Sequence, residues 1–268
     1  MRPRIHVSVW GEPAPSAPAI LVHGTFTWGT LAFAHQRPLA RHRRLLLPDR
    51  RGFGTSPDLD GGDVTSDYRI DAEDILGLMT GGAHLVGHSY GGTVAMLAAA
   101  AHPDRIRSLT LIEPCAHTVA ADEPVVARAI EDGRRFMADA RRGTPEEYVD
   151  VAYGDRRRPE PADRLLRAAR TALHERPCWL ADLPTEPLAR LDVPKLVIVG
   201  GWETVPPGYL PGMADVMRAV CGRVAERIGA RLVRVPGAAH EPHREQPDTV
   251  NALLAELWSG APDGSGSG

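Results

Sequence analysis

Short apolar runs separated by polar turns recur along this chain, at the length and spacing of buried strands. The first segment, 4–10, instead alternates apolar and polar positions, which is typical of an edge strand. Between the runs, apolar residues at helical spacing predict helices at 67–79 and 213–228. Strong helix formers without a breaker predict a helix at 93–100, and 249–258 is the last predicted helix. Strands that alternate with helices predict a mostly parallel sheet covered by helices on both faces. The predicted strands are 4–10, 19–22, 45–47, 83–86, 108–112, 195–199 and 231–235.

One long segment, residues 115–192, departs from this alternation. It contains Arg-, Ala- and Glu-rich helical stretches separated by Pro-containing turns, and no buried-strand run. We therefore expect a core formed by residues 1–114 and 193–259, with 115–192 inserted as a helical cap. The Gly- and Ser-rich end, residues 260–268, is typical of a flexible tail or a cloning remnant.

Composition narrows the class of protein. The chain has 268 residues, and its 43% apolar content is sufficient for a sizeable core. A net charge of −3 does not favour nucleic-acid binding, which usually needs a strongly basic face. Three cysteines without clustered spacing fit a reducing compartment, and no apolar run is long enough to span a bilayer. We expect a soluble cytoplasmic protein with no nucleic-acid or membrane partner. Nothing in the sequence indicates the oligomeric state.

The stretch Gly87-His88-Ser89-Tyr90-Gly91 indicates chemistry. An apolar run precedes it and strong helix formers follow it, so Ser89 stands at the tip of a predicted strand–turn–helix. Glycines two positions to either side suit a turn in which a side chain would crowd the strand and the helix. Ser89 itself is expected to have strained backbone geometry. This pattern predicts a nucleophile elbow.

Polar motifs follow the other predicted strands as well. Because open α/β sheets bind ligands at the carboxyl ends of their strands, these motifs are candidates for one site. The chain here resembles the α/β-hydrolase superfamily over about residues 19–258, with a gap at the cap. The motifs are His23-Gly24-Thr25-Phe26, Asp49-Arg50-Arg51-Gly52-Phe53-Gly54-Thr55-Ser56, the elbow, Glu113, Gly200-Gly201-Trp202-Glu203 and Gly237-Ala238-Ala239-His240.

The resemblance implies an α/β-hydrolase fold with a helical cap and assigns roles within it. Ser89 would be the nucleophile and His240 its base, since a hydroxyl needs a neighbouring base to take its proton. The backbone N–H groups of Thr25 and Tyr90 would form the oxyanion hole. His88 is expected to be structural, as is the loop from Asp49 to Ser56. A metal site at His240 and His243 is not favoured, because no third ligand is placed to join them.

Two glutamates compete for the role of the triad acid. Glu203 stands at the commonest position of the family, and Glu113 at a second known position, which some lactone-cleaving members use. We favour Glu113, because it directly follows a buried strand, where an unpaired carboxylate would be costly. The loop around Glu203 lacks the usual Asp. The sequence leaves both open.

The expected function is hydrolysis of a carboxylic ester or lactone through an acyl-enzyme, with a small-molecule substrate and without cofactor or metal. Thioester, amide and carbon–carbon bond hydrolysis use the same triad and stay open. A ligand-binding protein on a hydrolase fold is the alternative from another class. Phe26, Trp28 and Trp179 are candidates for an apolar substrate pocket, although core packing would explain Trp28 and Trp179 equally well.

Overall fold

Seven strands from the described part of the chain form one sheet. The computed structural model describes residues 3–59, 64–140, 142–154, 156–205 and 212–261. The strand order is β1-β3-β2-β4-β5-β6-β7; β1 pairs antiparallel with β3, and every other pairing is parallel. The strands are β1 Val7–Trp10, β2 Ala19–Val22, β3 Leu45–Pro48, β4 Ala83–His88, β5 Ile106–Ile112, β6 Lys195–Gly200 and β7 Arg231–Val235. The predicted α/β-hydrolase fold is therefore confirmed.

Helices cover both faces of this sheet. They are α1 Gly29–Ala32, α2 Tyr68–Leu76, α3 Tyr90–Ala101, α4 Pro124–Ala140, α5 Pro145–Tyr153, α6 Ala162–His174, α7 Thr185–Ala189, α8 Met213–Ile228, α9 Pro242–Glu245 and α10 Pro247–Ser259. The helix predicted to reach Met79 ends at Leu76, and the chain continues in a tighter turn in which Leu78 and Met79 donate to the carbonyls three residues earlier, at 2.9 and 3.2 Å. Over the residues that the structure describes, no helix combines the length and the apolar character that crossing a membrane would require.

The core is divided by the sheet into two apolar layers. Side chains alternate across the central strands, so that Ile20 packs in the layer beneath α2, α3 and α8, while its neighbour Leu21 packs beneath α1 and α10. Strands that are buried on both faces need apolar residues at nearly every position, which explains the continuous runs in the sequence. Because the strands are packed on both faces, their positions are fixed. The polar motifs at their carboxyl ends are therefore held in place.

Residues 115–192, here called the cap segment, lie between β5 and β6. Their described part contains the helices α4 to α7 and no strand. The helices α5 and α6 pack against each other, whereas α7 contacts α3 and α8 of the core. A capping box between Thr144 and Glu147 starts α5, because each side chain pairs with the other residue's backbone N–H. The division of the chain into core and cap stays a prediction.

Candidate active site

Ser89 lies in a sharp turn between β4 and α3. Its backbone has φ 53° and ψ −118°, a left-handed conformation that few residues other than glycine adopt. A Cβ on Gly87 would lie 2.3 Å from the Gly91 carbonyl oxygen, and one on Gly91 would lie 2.1 Å from the Val22 carbonyl oxygen. Only glycine fits at these two positions, and the packing holds Ser89 at the carboxyl edge of the sheet.

His240 lies between a hydroxyl and a carboxylate. Its Nε2 is 3.0 Å from Ser89 Oγ, and its Nδ1 is 3.4 Å from Glu113 Oε2. Burial disfavours the charged imidazole, but the hydrogen bond and the negative charge of Glu113 outweigh it, so the pKa of His240 is raised above 6.5. The loop after β7 thus places an imidazole within reach of the Ser89 proton.

Glu113 directly follows β5 and is fully buried. Its Oε1 accepts hydrogen bonds from the Gly200 N–H at 2.6 Å and from Trp202 Nε1 at 3.0 Å. These donors compensate for the lost hydration of the charge and leave Oε2 facing His240. The backbone of Glu113 has φ 46°, a conformation that a residue other than glycine keeps only where its surroundings hold it. The carboxylate therefore has one orientation.

Glu203 lies at the surface of the protein. It is exposed, with its Oε1 3.1 Å from Arg234 Nη2 and its Oε2 accepting from the Gly237 N–H at 3.1 Å. Backbone hydrogen bonds and the nearby Arg234 lower the pKa of Glu203. Of the two candidate acids, the structure brings Glu113 to His240 and leaves Glu203 in a surface ion pair.

The loop from His23 to Trp28, between β2 and α1, also approaches Ser89 closely. A Cβ on Gly24 would lie 3.0 Å from the Ser89 Cβ, so the loop backbone nearly touches the elbow. Thr25 follows Gly24, and Tyr90 is the first residue of α3, where backbone N–H groups lack helical partners. The N–H groups of Thr25 and Tyr90 thus belong to backbone segments that meet at Ser89.

The three pocket candidates have different surroundings. The ring of Phe26 packs edge-on against Tyr148 of α5, with centroids 4.8 Å apart. Trp28 is only 3% exposed and lies under the guanidinium of Arg164, 5.4 Å from its carbon, so little of the ring is open to a ligand. Trp179 is partly buried in the cap segment. Phe26 and Trp28 therefore both lie where the β2–α1 loop meets the cap segment, and Phe26 is the more exposed of the two.

A buried ion cluster behind the β2–α1 loop was missed by the sequence analysis. Arg50 Nη1 is 3.2 Å from Asp71 Oδ2, and its Nη2 is 3.0 Å from Glu175 Oε2. Arg50 also donates to the Gly24 carbonyl at 3.3 Å, and Glu175 accepts a hydrogen bond from the Thr25 hydroxyl. Burial dominates over the attraction of Arg50, raising the pKa of Asp71 to about 6 and that of Glu175 to about 7.

One signal could have indicated this cluster. Two arginines follow Asp49 at the end of a buried strand, and a buried guanidinium needs carboxylate partners. Arg51 finds Asp74, 2.7 Å away on α2, at helical distance from Asp71. The rest of the loop is structural, since Asp49 accepts from the Gly29 N–H at 3.0 Å and from the Thr55 N–H at 2.9 Å.

Two further histidines pack behind His240. His88 Nε2 is 2.8 Å from the His240 carbonyl oxygen, and its ring centroid is 4.4 Å from that of His243. Burial lowers the pKa of His88 to about 3, so its ring is neutral and supports the His240 loop by hydrogen bonding. Within the described ranges, no three His, Cys, Asp or Glu side chains are grouped as metal ligands.

The chain is similar to known hydrolases in sequence and in structure. The profile of the "Alpha/beta hydrolase family" matches residues 19–253. A pimeloyl-[acyl-carrier protein] methyl ester esterase of Aeromonas salmonicida is 31% identical, covering 70% of this chain and 78% of its own. The esterase of the same name from Edwardsiella ictaluri is 27% identical, covering 90% and 93%. The structure of a thermophilic esterase from Thermogutta terrifontis superposes with a TM-score of 0.65 at 28% identity, covering 94% and 92%.

Proposed function

The chain belongs to the alpha/beta hydrolase family, and from that premise we propose that it is a serine hydrolase that cleaves a carboxylic ester or a lactone. The relatives named above are esterases, so hydrolase activity is what the family membership indicates. The observation that carries the finer proposal is the continuous contact from Ser89 Oγ through His240 to Glu113, at 3.0 and 3.4 Å.

In the first step, the Ser89 oxygen attacks the substrate carbonyl carbon while His240 Nε2 takes the hydroxyl proton. This requires the tautomer with the other proton on Nδ1, which donates to Glu113. The carbonyl π electrons move to oxygen, and the N–H groups of Thr25 and Tyr90 stabilise the resulting oxyanion. Glu113 stabilises the imidazolium that forms, because its carboxylate is already oriented and desolvated.

In the second step, the oxyanion collapses and the bond to the alcohol oxygen breaks. His240 gives its proton to that oxygen, which leaves as an alcohol or, from a lactone, stays tethered to the acyl group. A water molecule then repeats the attack on the Ser89 ester, with His240 as base. Hydrolysis returns Ser89 to its hydroxyl form, so the cycle consumes only water and substrate.

A fluorophosphonate probe tests the nucleophile. We expect the wild-type protein to be labelled and to hydrolyse p-nitrophenyl acetate, and the Ser89→Ala variant to lose both properties. Ser259→Ala, in an exposed position on α10, is the matched serine control and should be labelled like the wild type. If the wild type resists the probe and has no turnover, while a small-molecule ester binds it and Ser89→Ala equally well, the chain is a binding protein on a hydrolase fold.

A substrate panel tests the bond that is cleaved. Alkyl esters of increasing chain length and lactones of increasing ring size should give Ser89-dependent turnover, with kcat/KM selecting among them. Thioesters, anilides and vinylogous 1,5-diketones belong in the same panel, because the same three residues could cleave them. Turnover of one of these classes without any ester or lactone turnover would keep the serine mechanism and refute the substrate class.

A further inference from the structure

The cap segment holds two successive residues of the β2–α1 loop. Glu175, just after α6, accepts the hydrogen bond of the Thr25 hydroxyl. Phe26 packs against the rings of Tyr148 and Tyr153, with centroids 4.8 and 5.7 Å away. The loop that carries the Thr25 N–H is therefore held from the cap side as well as from the core.

The loop backbone needs such support. Phe26 has φ 60°, in a region that bulky residues leave unless their surroundings hold them there. Gly24 lies against Ser89, so a small displacement of the loop would move the Thr25 N–H relative to a bound carbonyl oxygen. Hydrogen bonds weaken steeply once they are bent or stretched, and an oxyanion donor acts only when it is placed in advance.

Within the ion cluster, Arg50 contacts both the β2–α1 loop and Glu175 of the cap segment. The guanidinium of Arg50 donates to the Gly24 carbonyl at 3.3 Å and to Glu175 Oε2 at 3.0 Å. Its backbone N–H donates to His23 Nε2 at 2.9 Å. One oxygen of Glu175 is thus fixed by Arg50 while the other receives Thr25. A carboxylate buried this deeply is costly, and the proposed reaction does not use it.

We propose that Glu175 is a positioning residue for the oxyanion hole: through the Thr25 hydroxyl it holds the Thr25 N–H in place, so that the cap segment completes a site whose reacting groups lie in the core. The inference rests on the proposed function, since it takes Thr25 as an oxyanion donor. Its consequence is specific to the transition state, where the negative charge on the carbonyl oxygen develops. Loss of the contact therefore lowers kcat and leaves KM nearly unchanged.

Thr25→Val is the decisive variant, because it removes only the hydroxyl, conserves the shape of the side chain and leaves the backbone N–H. We expect kcat to fall by about 10- to 100-fold with an unchanged KM. Thr25→Ser, which restores a hydroxyl, should recover most of that loss. Glu175→Leu should reproduce the fall, and it leaves Arg50 paired with Asp71 rather than uncompensated.

The double variant Thr25→Val/Glu175→Leu shows whether the two residues act through each other. We expect its kcat to lie within about threefold of the single variants, because the second change removes a bond that is already lost. Multiplied effects would mean that Glu175 acts by another route, and would overturn the inference. Thr25→Val carries the test alone if Glu175→Leu does not fold.

Arg167→Met is the matched control, at a contact between the cap segment and the loop after β3. Arg167 of α6 donates to the carbonyls of Phe53, Gly54 and Ser56, at 3.3, 2.9 and 2.6 Å, and thus anchors the cap segment without touching the β2–α1 loop. We expect its kcat to stay within about threefold of the wild type. A fall like that of Glu175→Leu would show general loosening of the cap and refute a positioning role.

Different results would refute the proposed function and the proposed role of Glu175. A wild type that neither reacts with the fluorophosphonate nor hydrolyses any ester refutes the proposed function. A labelled, active wild type whose kcat survives Thr25→Val, or is not recovered by Thr25→Ser, refutes the inference alone.

Discussion

The two sides of Ser89 are built from different parts of the molecule. On the histidine side, the contacts come from the ends of core strands: Glu113 from β5, Trp202 from the loop after β6, and His240 after β7. On the other side, the Thr25 loop depends on Glu175 of the cap segment. In the proposed mechanism, the sheet itself orders the proton relay, whereas the oxyanion hole relies on an inserted segment.

The two buried carboxylates show the same contrast. Glu113 is held by neutral N–H donors, and within the described residues its ion pair is with the imidazole of His240 once that ring is protonated. Glu175 shares Arg50 with Asp71, so one guanidinium faces two carboxylates. The first arrangement suits a group that stabilises a transient positive charge. The second suits a group that holds a neighbour in place.

The largest expected effect lies on the histidine side. Glu113→Gln should lower kcat by roughly a thousandfold or more, because the imidazole loses its orienting and charge-stabilising partner. Glu203→Gln is the matched control, and we expect it to change kcat by less than about threefold, since an exposed ion pair contributes little. Steady-state kinetics on one ester measures both. The reverse pattern would assign the acid to Glu203.

A shift of the pH profile is the next largest effect. His240 must be neutral to accept a proton, so kcat/KM should fall as the pH drops through its pKa, which Glu113 holds above 6.5. In Glu113→Gln the raising cause is lost while burial remains, so the acidic limb should move to lower pH. Thr25→Val changes only the opposite side and should leave the midpoint in place. If the midpoint does not move in Glu113→Gln, Glu113 does not set the pKa of His240, and the proposed difference between the two sides of Ser89 is wrong.

The smallest effect concerns stability on the oxyanion side. The pKa of Glu175 is raised from 4.5 to about 7, so the folded protein keeps a proton that the unfolded chain has released. The free energy of unfolding should therefore decrease as the pH rises through this window, by on the order of 3 kcal/mol from this group. Glu175→Leu should lose that part of the slope in denaturant titrations and retain the part due to Asp71. An unchanged slope would contradict the assignment.

Much of the fold could be predicted from local pattern. The apolar runs 19–22, 83–86 and 195–199 lie within β2, β4 and β6, because strands buried on both faces need apolar residues at successive positions. Helix ends were less predictable: α2 ends at Leu76 and not at Met79, although the apolar spacing continues. Apolar periodicity indicates which face of a helix is buried. Where the helix ends depends instead on the helix propensities of single residues and on their hydrogen bonds.

Within the candidate site, the sequence by itself determined the turn at Ser89. The requirement for small residues around it is local, and the order of the motifs along the chain indicated His240 as the base. Only the tertiary structure shows which glutamate lies beside His240: Glu113 does, held by donors from β6 and Trp202, whereas Glu203 is exposed and paired with Arg234. The same holds for Glu175, 150 residues from Thr25 along the chain. A side chain's direction and its distant partners follow from packing, which no local pattern encodes.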